Sequence, residues 1–238
     1  MNKNKSLFAS HSPLILFDTE TTGLLPEADD EIIELGALVL LRNADGSLIR
    51  EELNCLIKLP EGKTVSEEIT KITGITEEML ETQGITQQEA AGSFMEMIQK
   101  TNPARILFIA HNAHFDMSFL NAFLRKNGHD LTGQFDVLDT LTVLKDRKQY
   151  PHKLSDAITY YGLDAQAENS HRALDDVKAL YAVLRAMAKE TEDLQEYINL
   201  LGYNPKYEKY GAEGKVSEKV TYKPQPFNST VKLYKVKD

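Results

Sequence analysis

The chain has 238 residues, 42% of them hydrophobic, with a formal net charge of −9 and one cysteine. That length suits one large domain with a substantial core, and Cys55 alone excludes an internal disulfide and a cysteine-based zinc site. No stretch reaches the roughly 18–20 apolar residues that span a membrane and residues 1–12 lack the apolar region of a signal peptide, so a cytoplasmic protein without a membrane partner is expected.

The charge is unevenly spread. Residues 203–238 hold eight lysines against four acids, net +4, which leaves −13 for residues 1–202. This predicts an acidic body over 1–202 and a basic, Tyr/Lys-rich extension over 203–238. An acidic body argues against tight nonspecific nucleic-acid binding by that body alone, although cations at a site can neutralise its carboxylates.

Residues 13–17 form an apolar run that ends in Asp18-Thr19-Glu20-Thr21-Thr22-Gly23. Side chains alternate along a strand, so Asp18 and Glu20 point to one side with Cα atoms roughly 6.5–7 Å apart. Two carboxylates on one side of a buried strand repel each other and lose solvation, a cost that a cation between them removes. Hard divalent ions such as Mg²⁺ take oxygen ligands of this kind. For an isolated Asp-x-Glu, a strand running into a polar turn is the plainer alternative; the later acids raise this instance.

Residues 32–41 read as a second strand, and Asp45-Gly46 is a hairpin signal leading to a third over 48–59. Residues 64–82 read as short helical pieces interrupted at Gly74, and 86–100 as a full helix. A fourth strand over 105–110 feeds into His111-Asn112-Ala113-His114-Phe115-Asp116 and a helix running to about Lys126. A short strand over 135–138 follows, then helices over 140–147, 154–161 and 170–190. A meander followed by alternating strands and helices predicts an α/β domain, a mixed sheet covered by helices.

In the helix after the fourth strand, Phe115, Phe119, Phe123 and Leu124 mark the buried face, which Asp116 borders. An acid in a first turn also gains typically ~0.3–1 kcal/mol from the helix dipole, so a role confined to the helix start stays open. In the last helix Leu174, Val177, Leu180, Tyr181, Leu184 and Met187 recur at helical spacing. At 100° per residue Asp176 falls on the edge of that stripe and Asp175 nearly opposite it. His171 precedes Asp176 by five residues, about 140° away on a regular helix. A shared site therefore needs His171 just ahead of the helix, where Asn169 and Ser170 suit capping. A lone histidine is more often an exposed polar residue than a base, which covers His111, His114, His129 and His152; the spacing to Asp176 sets His171 apart.

Together, Phe17-Asp18-Thr19-Glu20-Thr21-Thr22-Gly23, His111-Asn112-Ala113-His114-Phe115-Asp116 and His171-Arg172-Ala173-Leu174-Asp175-Asp176 resemble the three motifs of DnaQ-like exonucleases of the DEDDh type. Ile72-Thr73-Gly74-Ile75-Thr76 resembles a segment between the first two. The likeness runs from about 13 to 188 and takes in the exonuclease domain of the epsilon proofreading subunit of bacterial DNA polymerase III. It implies a ribonuclease-H-like fold with a mixed five-stranded sheet, and 3′→5′ removal of nucleoside 5′-monophosphates. Carried over, Asp18, Glu20, Asp116 and Asp176 hold two Mg²⁺ or Mn²⁺ ions, and His171 is the general base that deprotonates the attacking water. The chemistry agrees. Two metals roughly 3.5–4 Å apart stabilise the attacking and leaving oxygens of a phosphodiester. An unperturbed histidine titrates near ~6.5, so the rate is expected to rise with pH and level off.

The resemblance also implies contacts to the 3′-terminal nucleotide from Thr19, Thr21, Thr22, Gly23 and Leu24, with Ile75, His111, Asn112 and Phe115. For Ile75 and Phe115, core packing is the alternative. The expected substrate is the 3′ end of a single or frayed strand, DNA favoured over RNA. RNA-trimming members such as ribonuclease T share the five catalytic residues, and the choice of sugar rests on contacts to the 2′-OH. A DNA polymerase or clamp would be a separate partner.

Three rival readings are weaker. Asp18-Thr19-Glu20-Thr21 and Asp175-Asp176 imitate a haloacid-dehalogenase-type phosphatase, but that leaves Asp116 and His171 without roles. A non-catalytic subunit could bind nucleic acid or a replication partner through Tyr203, Tyr207, Tyr210, Tyr222 and Tyr234, which interleave with lysines; a packed extension is the plainer version. Tyr160 to Asp164 matches the Tyr-x-x-x-Asp of a sister subclass, yet Gly162 is expected to end the helix between them.

Overall fold

The alternation along the first strand sorts the domain into layers. In strand β1 (Leu14–Thr21) Leu14 and Leu16 face one way and Ile15 and Phe17 the other. The first pair packs with Leu38, Leu107 and Ile109 against Val177, Leu180 and Leu184 of the last long helix. The second pair packs with Leu35, Val39 and Phe108 against Phe94, Met97, Phe119 and Leu120. Phe108 is central to that layer, with Phe17 edge-on at 5.8 Å and Phe94 stacked at 6.5 Å. Each such side chain contributes roughly 1.5–3 kcal/mol of burial free energy.

The computed structural model describes residues 7, 11–26, 30–43, 45–101, 105–131, 135–164, 171–202 and 221–223. The basic extension expected over 203–238 lies outside the described residues except for 221–223, and the capping residues Asn169 and Ser170 lie outside them too. Strand β1 is followed by β2 (Ile32–Arg42), β3 (Leu48–Leu56), α1 (Glu67–Thr73), α2 (Glu77–Gln83) and α3 (Gln87–Gln99). Then come β4 (Ile106–Ala110), α4 (Ala113–Lys126), β5 (Phe135–Asp139), α5 (Thr140–Arg147), α6 (Leu154–Tyr160) and α7 (Ala173–Glu190). Two short parallel strands, β6 (Leu200–Gly202) and β7 (Thr221–Lys223), follow.

The main sheet has the order β3-β2-β1-β4-β5. The first three strands form an antiparallel meander, while β4 and β5 run parallel to β1. The expected mixed five-stranded α/β sheet is what the chain forms. Gly74 separates α1 from α2 as expected, in the left-handed conformation (φ 72°), with its N–H on Thr70 O.

Strand β3 ends at Leu56, short of the expected 59, and two further boundaries bear on the site. Strand β1 outlasts its apolar run of 13–17, continuing through Asp18 and Glu20 to Thr21, because β2 keeps pairing with it up to Glu20↔Glu34; a bulge follows between Glu20 and Thr21. Bulges next to active sites commonly re-aim side chains. Helix α7 starts at Ala173, three residues later than expected, because its first N–H, that of Ala173, meets a partner on β2 rather than a local cap.

Candidate active site

Asp18 and Glu20 continue the β1 face that carries Leu14 and Leu16, and so point towards α7. Thr19, on the other face, meets α4. Its backbone N–H and its hydroxyl both donate to Asp116 Oδ1, at 3.1 and 2.9 Å. This buried pair of bonds ties the first-turn acid of α4 to the middle of β1, so Asp116 is more than a decoration of the helix start.

The start of α4 is set by a residue the sequence reading passed over. Asp139, the last residue of β5, is buried and accepts from the backbone N–H groups of Asn112, Ala113 and Leu141 at 2.9–3.2 Å. Thr142 donates its hydroxyl to the other oxygen at 2.7 Å. One carboxylate thus satisfies the free N–H groups at the starts of both α4 and α5. Asn112 supplies the turn in the left-handed region, with φ 81°, that asparagine tolerates. The only signal for Asp139 in the sequence is its place just ahead of a predicted helix.

At α7 the chain comes down onto the sheet itself. A Cβ on Gly36 would lie 2.5 Å from the Ala173 carbonyl carbon, so glycine is what lets this helix start touch β2. Gly36 is the register partner of Asp18, and Glu34 the partner of Glu20. Glu34 is 0% exposed. Its carboxylate accepts from Arg172 Nη2 at 2.8 Å, from Arg172 Nε at 3.1 Å, and from the Ala173 N–H at 3.0 Å. A buried acid on the neighbouring strand therefore caps α7 and anchors Arg172 beside it. His171 lies just ahead of the helix, as its spacing required, with φ 55° and an exposed side chain. Asp176 is buried and Asp175 exposed, as the helical stripe predicted.

The result is a cluster in which Glu20, His171 and Asp176 bring one ligand atom each to within 4.8 Å of one another. Asp18 and Asp116 feel the same charges. Burial, then Asp116, Glu20, Asp176 and Glu34, push the Asp18 carboxyl well above the usual carboxylate range. Burial and the neighbouring Asp176, Glu34 and Asp116 raise Glu20 to about 8. Burial raises Asp116 to about 7, against the pull of the two Thr19 bonds. Carboxyls so placed are satisfied by a bound cation rather than by one another. An all-carboxylate set with one imidazole suits hard divalent ions such as Mg²⁺ or Mn²⁺.

Residues 15–184 match the family described as exonuclease, of the ribonuclease T type. The chain belongs to this exonuclease family. A PolC-type DNA polymerase III from Thermotoga petrophila is 33% identical over 169 residues, 71% of this chain and 11% of that one. The DNA polymerase III epsilon subunit of Treponema pallidum is 31% identical over 74% of this chain and 77% of its own length. The chain thus spans about a tenth of the PolC-type relatives it matches. Among solved structures, E. coli exonuclease I in complex with a dA16 oligonucleotide superposes with a TM-score of 0.65. It is 18% identical, over 78% of this chain and 42% of that one. That likeness shows the fold, which is ribonuclease-H-like.

Within the exonuclease domain, the residues expected to touch the terminal nucleotide divide. Leu24 is exposed, and Asn112 and Phe115 are half-buried, the Phe115 ring lying 4.9 Å from that of Phe119. Thr22 holds the following loop, its hydroxyl accepting from the Glu31 N–H at 2.9 Å. The buried Thr21 hydroxyl donates to Gly23 O. Gly23 does allow a close approach, but of the Asp30 carboxylate, 2.3 Å from where its Cβ would be. Three of these side chains are engaged within the protein. Ile75 is 0% exposed and packs with Ile33, Leu56 and Leu80, so in this structure it presents no surface to a nucleotide. Thr19 is buried against Asp116. His111 has both ring nitrogens engaged, Nε2 donating to His152 O at 2.9 Å and Nδ1 bonded to Thr140 Oγ1 at 3.0 Å, and burial keeps its pKa below the ordinary value.

The rival features fall away from the cluster. Tyr160 donates its hydroxyl to Gln149 O and Asp164 accepts from Thr159, so the Tyr-x-x-x-Asp match takes no part in it. Family membership leaves the phosphatase reading without support. No helix among the described residues is long and apolar enough to cross a membrane.

Proposed function

We propose that this chain is a divalent-metal-dependent 3′→5′ exonuclease that releases nucleoside 5′-monophosphates from DNA 3′ ends. The observation that carries it is the convergence of Asp18, Glu20, Asp116 and Asp176, from one strand and two helices, on a cluster flanked by the exposed His171. Asp18, Glu20, Asp116 and Asp176 would hold the two ions. When bound, the ions stabilise charge on the attacking and leaving oxygens of the phosphodiester. His171 stands at the solvent side and takes the proton of the attacking water. The Glu34–Arg172 anchor and the Gly36 contact hold the backbone on which His171 and Asp176 depend. The two Thr19 bonds fix which way Asp116 turns, leaving Asp116 Oδ2 for a cation. Relatives named for DNA polymerase III favour DNA over RNA and point to a polymerase or clamp as partner.

The test is degradation of 3′-labelled and 5′-labelled single strands, DNA and RNA side by side, in Mg²⁺ or Mn²⁺. Immediate release of the 3′ label as a mononucleotide, abolished by EDTA and by Asp18→Ala, is the expected result, faster on DNA. Faster loss from RNA would replace proofreading-type action with RNA 3′-end trimming. Internal cuts, or release from the 5′ end first, would overturn the proposal.

A further inference from the structure

Beside His171 opens a cleft of about 940 Å³, bounded by the starts of α4 and α6, by α5 and by the loop between α5 and α6. Its volume lies near the upper end of what ligand pockets reach. It is contiguous with the carboxylate cluster through His171, which belongs to both. Lys145 and Lys153 also line it, and among the described residues neither ammonium has a carboxylate partner. Among the described residues Asp156 is the one acid on its wall, and that carboxylate accepts from the Lys153 backbone N–H at 2.6 Å. On a body carrying −13, two unpaired ammonium groups facing one cleft are an anion-attracting feature.

The rim is an aromatic ring. Tyr150 is 86% exposed, the most exposed of the large apolar side chains described. Exposed rings usually sit on loops that move, but this loop is fastened at three carbonyls. His111 Nε2 donates to His152 O, His152 Nε2 to Lys148 O, and the Tyr160 hydroxyl to Gln149 O, all at 2.9 Å. The His152 ring meets the Tyr150 ring edge-on at 5.9 Å, which leaves a face of the phenol open to solvent. A ring held in place before binding costs little entropy when something stacks on it.

We propose that this cleft binds the strand immediately behind the scissile nucleotide, one base stacking on Tyr150 and the adjoining phosphates lying against Lys145 and Lys153. This deepens the exonuclease reading and rests on it. It gives the half-buried histidine pair a purpose, since the two imidazoles fasten the platform rather than touch the terminal nucleotide.

The test is fluorescence anisotropy with a 5′-labelled oligothymidylate in Ca²⁺, over a range of salt, with mononucleotide release measured in Mg²⁺. Tyr150→Ala is expected to raise Kd about 5- to 100-fold and Tyr150→Phe to leave it within about twofold, stacking being what is lost. Lys145→Ala and Lys153→Ala are each expected to reduce the slope of log Kd against log salt by about 0.7. Kd unchanged in Tyr150→Ala, a loss as large in Tyr150→Phe, or an unchanged slope in both lysine variants would overturn the proposal. Thermal melts establish that each variant is folded, which the exposure of Tyr150 favours. Failure of the exonuclease reading gives a different result: wild-type protein binding the strand with the same Tyr150 dependence yet releasing no mononucleotide. A wild-type chain that does not bind the strand overturns the cleft outright.

Discussion

Glu34 on β2 and Arg172 ahead of α7 are 138 residues apart in sequence and joined by a two-pronged ion pair, with Arg172 Nη2 2.8 Å from Glu34 Oε1. The same carboxylate takes the first free N–H of α7, that of Ala173. Removing it leaves a guanidinium and a backbone donor without partners at the base of the helix that carries Asp176. Arg172 is partly exposed, so water screens part of the loss. Glu34→Ala is expected to cost about 2–4 kcal/mol of stability and, by loosening His171 and Asp176 together, most of the exonuclease rate. Urea unfolding and strand degradation check the two effects. Full activity in a stable Glu34→Ala protein would show that the anchor does not position the site.

Gly36→Ala tests the neighbouring contact. Its new Cβ would stand 2.5 Å from the Ala173 carbonyl carbon, and backbone cannot turn aside as a flexible side chain does. Overpacking of this kind costs about 1–3 kcal/mol. Because the strain falls on the start of α7, opposite Asp18, the rate is expected to fall by more than the melting temperature suggests. A variant that is destabilised but fully active when folded would sink this account.

These two residues mark where the sequence stopped being legible. The acids on β1, α4 and α7 could be found from strand alternation and helical periodicity, because each lies where a local period puts it. Glu34, Gly36 and Asp139 do their work through pairings made only in the folded sheet: Glu20↔Glu34, Asp18↔Gly36, and a strand end that reaches two helix starts. A faint signal existed. Glu34 and Gly36 interrupt an otherwise apolar strand, and a buried charge demands a partner just as an interior glycine marks a close approach. Ile75 is the opposite case. Its motif neighbourhood placed it near the nucleotide, whereas its side chain belongs to the small core with Ile33 and Leu80.

Thr19→Val keeps the shape of β1 and removes one of the two donors to Asp116 Oδ1. A hydrogen bond to a charged group contributes about 1.5–3 kcal/mol, and its loss favours the protonated form of an acid already raised to about 7. A cation then displaces the Asp116 proton into solvent less readily. The Mg²⁺ concentration for half-maximal rate is expected to rise about tenfold, which corresponds to ~1.4 kcal/mol, while the rate at saturating metal falls less. A Mg²⁺ titration of strand degradation decides it, and an unchanged midpoint would detach Thr19 from metal binding.

The raised carboxyls also fix how stability and metal binding follow pH. Without metal, Glu20 is pushed up to about 8, Asp116 to about 7 and Asp18 well above the carboxylate range, burial being the largest cause for each. A carboxyl whose folded pKa exceeds its unfolded one adds stability that is fully present below the unfolded value, about 4, and is lost as pH rises through the folded value. Over that window the folded state is forced to ionise groups that lie together out of water. Divalent ions bind the ionised forms and release the remaining protons, so they restore most where the loss is greatest. The melting temperature in EDTA is therefore expected to fall between about pH 5 and about pH 8, and the gain on adding Mn²⁺ to grow across the same range. Glu20→Gln should flatten both trends, because the group raised to about 8 is gone and one negative charge with it. Differential scanning calorimetry at each pH, with and without Mn²⁺, measures all three quantities. A Mn²⁺ gain that is the same at both ends of the range would mean that the ion binds somewhere other than this cluster of acids.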